Sequence, residues 1–274
     1  MNVRDLLVAG TEELAGAGVP SPRVDAEWLL AHALGVSRTE LYADGDEAPA
    51  DRERVFRELV ARRAAREPLA YVLGEWGFRR LTLSVDPRVL IPRPETEVLV
   101  ERCLELIADL AGPRVLDVGV GSGAIALAIA DEHPGARVVA TDSSSDALAV
   151  AAENAARTGL AVELVAGELL AGLDGPFDLV VANPPYVAPE DVDALPPEVG
   201  EHEPRAALIE SGATEAIAEQ ALSRLAASGS LAFEVADGKA GDVAALLRRL
   251  GYEEVTIGED LAGRERVVDG RAPR

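Results

Sequence analysis

"VLDVGVGSGAIALAIA", residues 115–130, runs from an apolar stretch through three glycines into a second apolar stretch. The first part reads as a buried strand, the glycines as a tight turn, and residues 123–132 as a helix. Gly119, Gly121 and Gly123 let the main chain turn sharply and let a ligand touch it. Amide groups at the start of the helix then face that ligand. "RVVATD" at 137–142 puts Asp142 at the tip of the next strand. An acid there accepts two hydrogen bonds from a ribose diol, so an adenosine-containing cofactor is expected. Read as G-x-G-x-x-G/A through residues 119, 121 and 124, the turn suits a dinucleotide. Read as G-x-G-x-G, it suits S-adenosylmethionine. Asp117 most simply orients the loop and faces the cofactor's amino group, and Glu168, ending a third strand, faces the adenine amino group.

Outward from this turn, short apolar strands alternate with helices. The strands are "RVLDVG", "ARVVATD", "AVELVAG", "FDLVVANPP", "GSLAFEVA", "YEEVTIG" and "ERVVDG". Helices fit at 123–132, 145–158 and 240–250, with Gly159 and Gly251 as C-terminal stops. This alternation predicts an α/β fold with a parallel sheet covered on both faces. The last two strands leave no room between them for a helix and are expected to pair antiparallel.

The first third of the chain is different. Ala26, Leu29, Leu30, Ala33 and Leu34 mark one helical face, entered through Ser21-Pro22 as cap and first turn. Val55, Phe56, Leu59 and Val60 mark another, and residues 42–51 form a polar loop between them. In 71–91 the alternation of Leu81, Leu83 and Val85, with Gly74 and Gly77 at a bend, predicts a β-hairpin. "IPRPETEVLVERCLELIADLAG" then opens a long helix near Pro94, with Glu95 and Glu97 where the helix dipole favours acids. A domain boundary is expected around 85–92.

The 274 residues are 48% hydrophobic, enough for a sizeable core. No run of about 18 apolar residues exists, and the N-terminus carries acids where a signal peptide is basic, so a soluble, cytoplasmic protein is expected. Cys103 is the only cysteine, which excludes an internal disulfide. His32, His133 and His202 lack metal-ligand spacing, and no metal is expected. Net charge is −22, from 26 basic and 48 acidic residues, which argues against a nucleic-acid substrate. Trp28 and Trp76 read as core or hairpin anchors. No nucleophile elbow or Ser-His pairing supports a hydrolase.

"DLVVANPPYVAPE", residues 178–190, decides between the cofactors. A nicotinamide enzyme has no evident use for Asn-Pro-Pro-Tyr after its fourth strand, whereas methyl transfer to a planar nitrogen does. The lone pair of a carboxamide or exocyclic amine is delocalised, so the nitrogen is a poor nucleophile. Two hydrogen bonds donated to acceptors on one side pyramidalise it toward the methyl group. The Asn183 side-chain oxygen and the Pro184 carbonyl are suited to be those acceptors, with proline holding its carbonyl still. Tyr186 offers a flat face for stacking.

These residues carry a resemblance. The chain resembles the protein-(glutamine-N(5)) methyltransferases that modify class I peptide-chain release factors. The likeness runs through "EPLAYVLGEWGF", "LIPRPETEVLVE", "DVGVGSGAIALAIA", "NPPYVAP", "EPRAAL" and "DLAGRERVV". NPPY is shared with adenine and guanine amino-methyltransferases, while "IPRPETE" (91–97) is the more particular signature. The resemblance implies a class I methyltransferase (Rossmann-like) seven-stranded sheet with an antiparallel last strand. It also implies a helical partner-recognition domain (1–70), a linking hairpin (71–91) and an S-adenosylmethionine-dependent domain (92–274). Cofactor contacts would come from Asp117, Gly119, Val120, Gly121, Ser122, Gly123, Asp142, Glu168, Leu169 and Asn183. Asn183, Pro184, Pro185 and Tyr186 would hold the glutamine of a Gly-Gly-Gln loop, with Arg93 and Glu97 ordering the site mouth, or else forming a local ion pair at the helix start. A monomer acting on release factors is expected. The alternatives are another protein glutamine, an amino group of nucleic acid, and a non-catalytic module that keeps the pocket. Departures from the family pattern stand at Ala236, Lys239, "ESGATEA" (210–216) and Glu168-Leu169, where an aromatic cover for adenine is missing.

Overall fold

The structure, a computed structural model, describes residues 1–42 and 47–274. Two compact units emerge: Met1–Glu75 with Leu195–His202, and Trp76–Ala194 with Glu203–Arg274. The division comes before the expected 85–92. The reason is that Phe78 and Leu83 of the hairpin bury in the core of the second unit. Asn154 also grips Ser84 there, accepting from its N–H at 2.7 Å and donating to its carbonyl at 3.0 Å.

The first unit begins with α1 (Val3–Gly16), α2 (Pro22–Leu34), α3 (Ala50–Ala64) and α4 (Leu69–Leu73). Asn2 caps α1 by accepting from Asp5 N–H at 2.7 Å, whereas Ser21 makes no side-chain cap and α2 starts on Pro22 alone. Leu6, Leu14, Leu29, Leu30, Phe56 and Val60 bury between these helices. Part of the expected 42–51 loop lies outside the described residues. Trp28 is not a core residue: it is 41% exposed and lies under the Arg38 guanidinium, 5.1 Å from the ring centroid.

Strands β1 (Glu75–Phe78), which begins at the last residue of the first unit, and β2 (Leu81–Ser84) form a hairpin shorter than the expected 71–91 because α4 takes up residues 69–73. There follow α5 (Pro94–Ile107), β3 (Arg114–Val118), α6 (Ala124–Glu132), β4 (Arg137–Asp142), α7 (Ser145–Thr158), β5 (Val162–Ala166) and β6 (Phe177–Ala182). The single-turn helix α8 (Pro197–Gly200) falls in the first unit. The chain then continues through α9 (Arg205–Leu208), α10 (Ala213–Leu222), β7 (Leu225–Glu234), α11 (Ala240–Leu250), β8 (Glu253–Glu259) and β9 (Glu265–Arg271).

The seven strands lie in the order β5-β4-β3-β6-β7-β9-β8. All pairs from β5 to β7 are parallel, and β9 runs antiparallel to both neighbours. The sheet is thus the expected class I methyltransferase sheet. Its last strand is inserted beside β7, leaving the largely exposed β8 as the edge. Leu179, Val180, Val181 and Ala182 are fully buried in succession, as a parallel strand covered on both faces requires. Leu99, Cys103 and Leu127 fill one face of the sheet; Phe177, Ile217, Phe233 and Leu247 fill the other. Among the described residues no helix is long and apolar enough to cross a membrane.

A buried ion cluster stabilises the first unit. Arg63, its side chain 6% exposed, donates to Asp25 at 2.8 Å and meets Glu198 at 2.9 Å. Arg66 clasps the same Glu198 through two nitrogens at 2.8 and 2.7 Å. Burial opposes ionisation of Glu198, yet these hydrogen bonds hold its carboxyl down at about 2. Arg63→Ala strands the buried Asp25 carboxylate and is expected to destabilise this unit by about 3–5 kcal/mol. Urea unfolding of the full chain, followed by Trp28 emission in a Trp76→Phe background, measures the loss.

Candidate active site

Strand register assembles the site. Val118 pairs with Thr141 on one side and Ala182 on the other, and Ala182 pairs with Phe233. The residues just past these positions, Gly119, Asp142, Asn183 and Glu234, therefore line one carboxyl edge of the sheet, where open α/β folds bind ligands. Gly119 (φ 85°) and Val120 both donate to the Thr141 carbonyl at 2.8 Å, which folds the turn back over β4. A Cβ at Gly119 or Gly121 would meet no protein atom within 4 Å, so both glycines present bare backbone to open space. Gly123 has another job. Its Cβ would stand 2.9 Å from Leu127 Cδ1, so its bareness serves helix packing.

Acids frame the turn. Asp142 accepts from Gly121 N–H at 3.0 Å and Ser144 N–H at 2.9 Å, one on each carboxylate oxygen. Asp117 is fully buried; one oxygen accepts from Ala126 N–H at 3.1 Å and the other has no partner among the described residues. Burial pushes its carboxyl up to about 8. Asn154 was not singled out from the sequence, yet its amide donates to the Ser122 carbonyl at 2.8 Å, tying the turn to α7. A lone asparagine inside an alanine-rich helix gave no sign of this.

A cavity of about 320 Å³ opens here, in the usual range for small-molecule sites. Gly119, Val120, Gly121, Ser122, Asp142, Glu168, Leu169, Asn183, Pro184, Pro185 and Arg93 all line it, together with Thr96. Asp117, Gly123, Tyr186 and Glu97 do not. Leu169 adopts a left-handed φ of 53°, with its carbonyl accepting from the Thr141 hydroxyl at 3.0 Å. It supplies an apolar wall where an aromatic ring was missed in the sequence.

At the other end of the cavity, the Asn183 side-chain nitrogen donates to Thr96 Oγ1 at 3.3 Å, and Thr96 donates to Glu234 at 2.6 Å. Thr96 is 4% exposed and Glu234 2%. Burial raises the Glu234 carboxyl, a push opposed by the Thr96 hydrogen bond. Neither residue was legible as a site residue: Thr96 sits between two glutamates in a helix start, and Glu234 ends a strand 138 residues away. Tyr186 is 37% exposed beside the cavity, and burial raises its hydroxyl. Arg93 and Glu97 form no local ion pair. Arg93 reaches Glu203 at 2.5 Å, a carboxylate otherwise almost sealed from water and raised by that burial. Glu97 instead accepts from Arg79 N–H at 2.9 Å. The Arg93–Glu203 pair ties the start of α5 to the segment before α9, residues too far apart in sequence to be paired by inspection.

Comparison with known proteins agrees with this architecture. Residues 5–74 match the family model of the PrmC N-terminal domain, and residues 94–200 that of the methyltransferase small domain. A Deinococcus radiodurans protein named release factor glutamine methyltransferase is 46% identical over 278 residues, covering 99% of each chain. One of the same name from Geobacter sulfurreducens is 44% identical over 267 residues, covering 94% of this chain and 92% of its own. The solved ribosomal protein L11 methylase of Lactobacillus delbrueckii subsp. bulgaricus shares the fold at 25% identity, with a TM-score of 0.53 over 69% of this chain and 84% of that one. With such identity sustained over nearly its whole length, the chain belongs to the release factor glutamine methyltransferase family.

Proposed function

We propose that the chain transfers a methyl group from S-adenosylmethionine to the side-chain amide nitrogen of the glutamine in the Gly-Gly-Gln loop of class I release factors. The observation that carries this reading is the shared cavity: the glycine turn with Asp142 forms one part, and Asn183-Pro184-Pro185 another. The residues suit the cofactor. The bare backbone at Gly119 and Gly121 leaves room for its adenosyl portion, Asp142 has lone pairs free for a ribose diol, and the buried Asp117 beneath the turn has one oxygen without a partner among the described residues. When bound, S-adenosylmethionine supplies an electrophilic methyl group on a sulfonium centre.

What the chain contributes is position. Asn183 Oδ1 and the Pro184 carbonyl accept the two N–H bonds of the substrate amide, drawing its nitrogen out of conjugation. Pro184 has a fixed φ and Pro185 restricts the residue before it, so that carbonyl does not swing. Tyr186 and Pro185 flank the amide plane. No strong base is needed, because positioning supplies most of the acceleration and the spare proton leaves to water. The net charge of −22 favours a protein substrate over a phosphate backbone.

Labelled cofactor offered with either release factor or nucleic acid tests this reading. Label is expected on the release factor alone and lost when the Gly-Gly-Gln glutamine becomes alanine; label only on nucleic acid overturns it. Asn183→Ala is expected to cut kcat by at least about 100-fold while S-adenosylhomocysteine still binds in titration calorimetry. Gly119→Val projects its side chain into the cavity and is expected to weaken that same binding by at least about tenfold, or about 1.4 kcal/mol.

Asp117 gives a proton signature. With its carboxyl near 8 the free protein holds this proton at pH 7. A cation held in the neighbouring cavity would favour the ionised form through space, so binding releases up to about one proton. Release at pH 7 that fades above about pH 9, measured in buffers of different ionisation enthalpy, is the expected outcome.

A further inference from the structure

We propose that Thr96 and Glu234 are positioning residues that lock the Asn183 amide with its nitrogen held inward and its oxygen turned to the cavity. The inference rests on the methyl-transfer reading for what that oxygen does, and on hydrogen-bond chemistry alone for how it is held.

An asparagine side chain has two ends of nearly equal size and opposite hydrogen-bonding character. Shape therefore cannot choose between them; only the partners can. The Thr96 hydroxyl has a single hydrogen, and the 2.6 Å contact commits it to the Glu234 carboxylate. What Thr96 then offers Asn183 is a lone pair, which only the NH₂ end can meet, and it does so at 3.3 Å. Glu234 strengthens the choice, for its Oε2 takes the Thr96 hydrogen, and the Asn183 amide, like Thr96, works against the burial that raises this carboxyl. A flipped amide would set its oxygen against two buried acceptors. It would also point N–H bonds at the substrate's own NH₂ group, which then has no acceptor there.

The three groups come from α5, β6 and β7, so the lock closes only when the sheet and its covering helix are assembled. Glu95 and Arg266 act on Glu234 in opposite senses, the first disfavouring its charge and the second supporting it. Thr96 borders the cavity but is 4% exposed with its one hydrogen given to Glu234, and Glu234 does not line the cavity, so the pair acts through Asn183.

The chain has three asparagines, Asn2, Asn154 and Asn183, so selective ¹⁵N-asparagine labelling yields three side-chain NH₂ pairs. In the full-length protein, Thr96→Val is expected to shift the Asn183 pair and speed its hydrogen exchange, leaving the other two in place. With release factor as substrate, kcat should fall about 10–100-fold with little change in KM for the cofactor, and Thr96→Ser should restore it. In an Asn183→Ala background Thr96→Val should cost nothing further, since the group it positions is gone. Glu234→Gln, nearly equal in volume, should move the same NH₂ pair and serves if Thr96→Val does not fold. An unmoved Asn183 pair, an unchanged kcat, or a full additional loss in the Asn183→Ala background overturns the proposal. If the unmodified protein transfers no methyl to release factor, the methyl-transfer reading falls, and the NH₂ signals decide the lock by themselves.

Discussion

Four parallel strands, β4, β3, β6 and β7, end in register, and the chemistry of the protein hangs on that alignment. Backbone N–H and C=O groups in a buried sheet must be paired, and a strand covered on both faces cannot slip without exposing its apolar side chains. The residue at or just past each strand end therefore inherits a position as fixed as the strand. Gly119, Asp142, Asn183 and Glu234 are those residues. They supply bare backbone, a carboxylate held by two amides, a side-chain amide and a buried carboxyl.

Around that edge the protein keeps several carboxylates out of water, and it treats them differently. Glu203 has Arg93 beside it, yet burial still raises its carboxyl. Glu234 is held by neutral donors, with Arg266 acting on it from farther off. Asp117 has a single backbone donor, and burial pushes it up to about 8. Such groups cost the fold stability, because a buried carboxyl loses its hydration and a partner gives back only part of it. In a site of low polarisability, fixed dipoles and acceptors act at nearly full strength and need not reorient during reaction.

Leu169 illustrates how local strain accompanies this arrangement. Its left-handed conformation is uncommon for a residue with a side chain and persists because Thr141 holds its carbonyl from the adjoining strand. The result is an apolar wall of the cavity made from a branched aliphatic side chain.

Much of the fold could be read from the chain. The alternation of apolar strands with glycine-stopped helices predicted all seven strands and the helices 145–158 and 240–250 that the structure contains. Periodicity is a local property, and burial of a strand on both faces writes it plainly. Glycine spacing and the Asn-Pro-Pro-Tyr run were also local, since each does its work through main-chain geometry within a few residues. Asn154, Thr96, Glu234 and the Arg93–Glu203 pair lay beyond such reading. Each acts on a group far away in sequence: Asn154 on Ser84 and Ser122, Thr96 on Glu234, Arg93 on Glu203. Trp28 fell on the wrong side of the same divide, because hydrophobicity says that a ring can be buried and only the packing of α1, α2 and α3 decides whether it is. The sequence by itself determined which segments are strands, where the chain turns and which backbone is left bare. The tertiary structure alone decided which end of the Asn183 amide faces the cavity, because that choice belongs to partners brought in from a helix and a strand by the closing of the sheet.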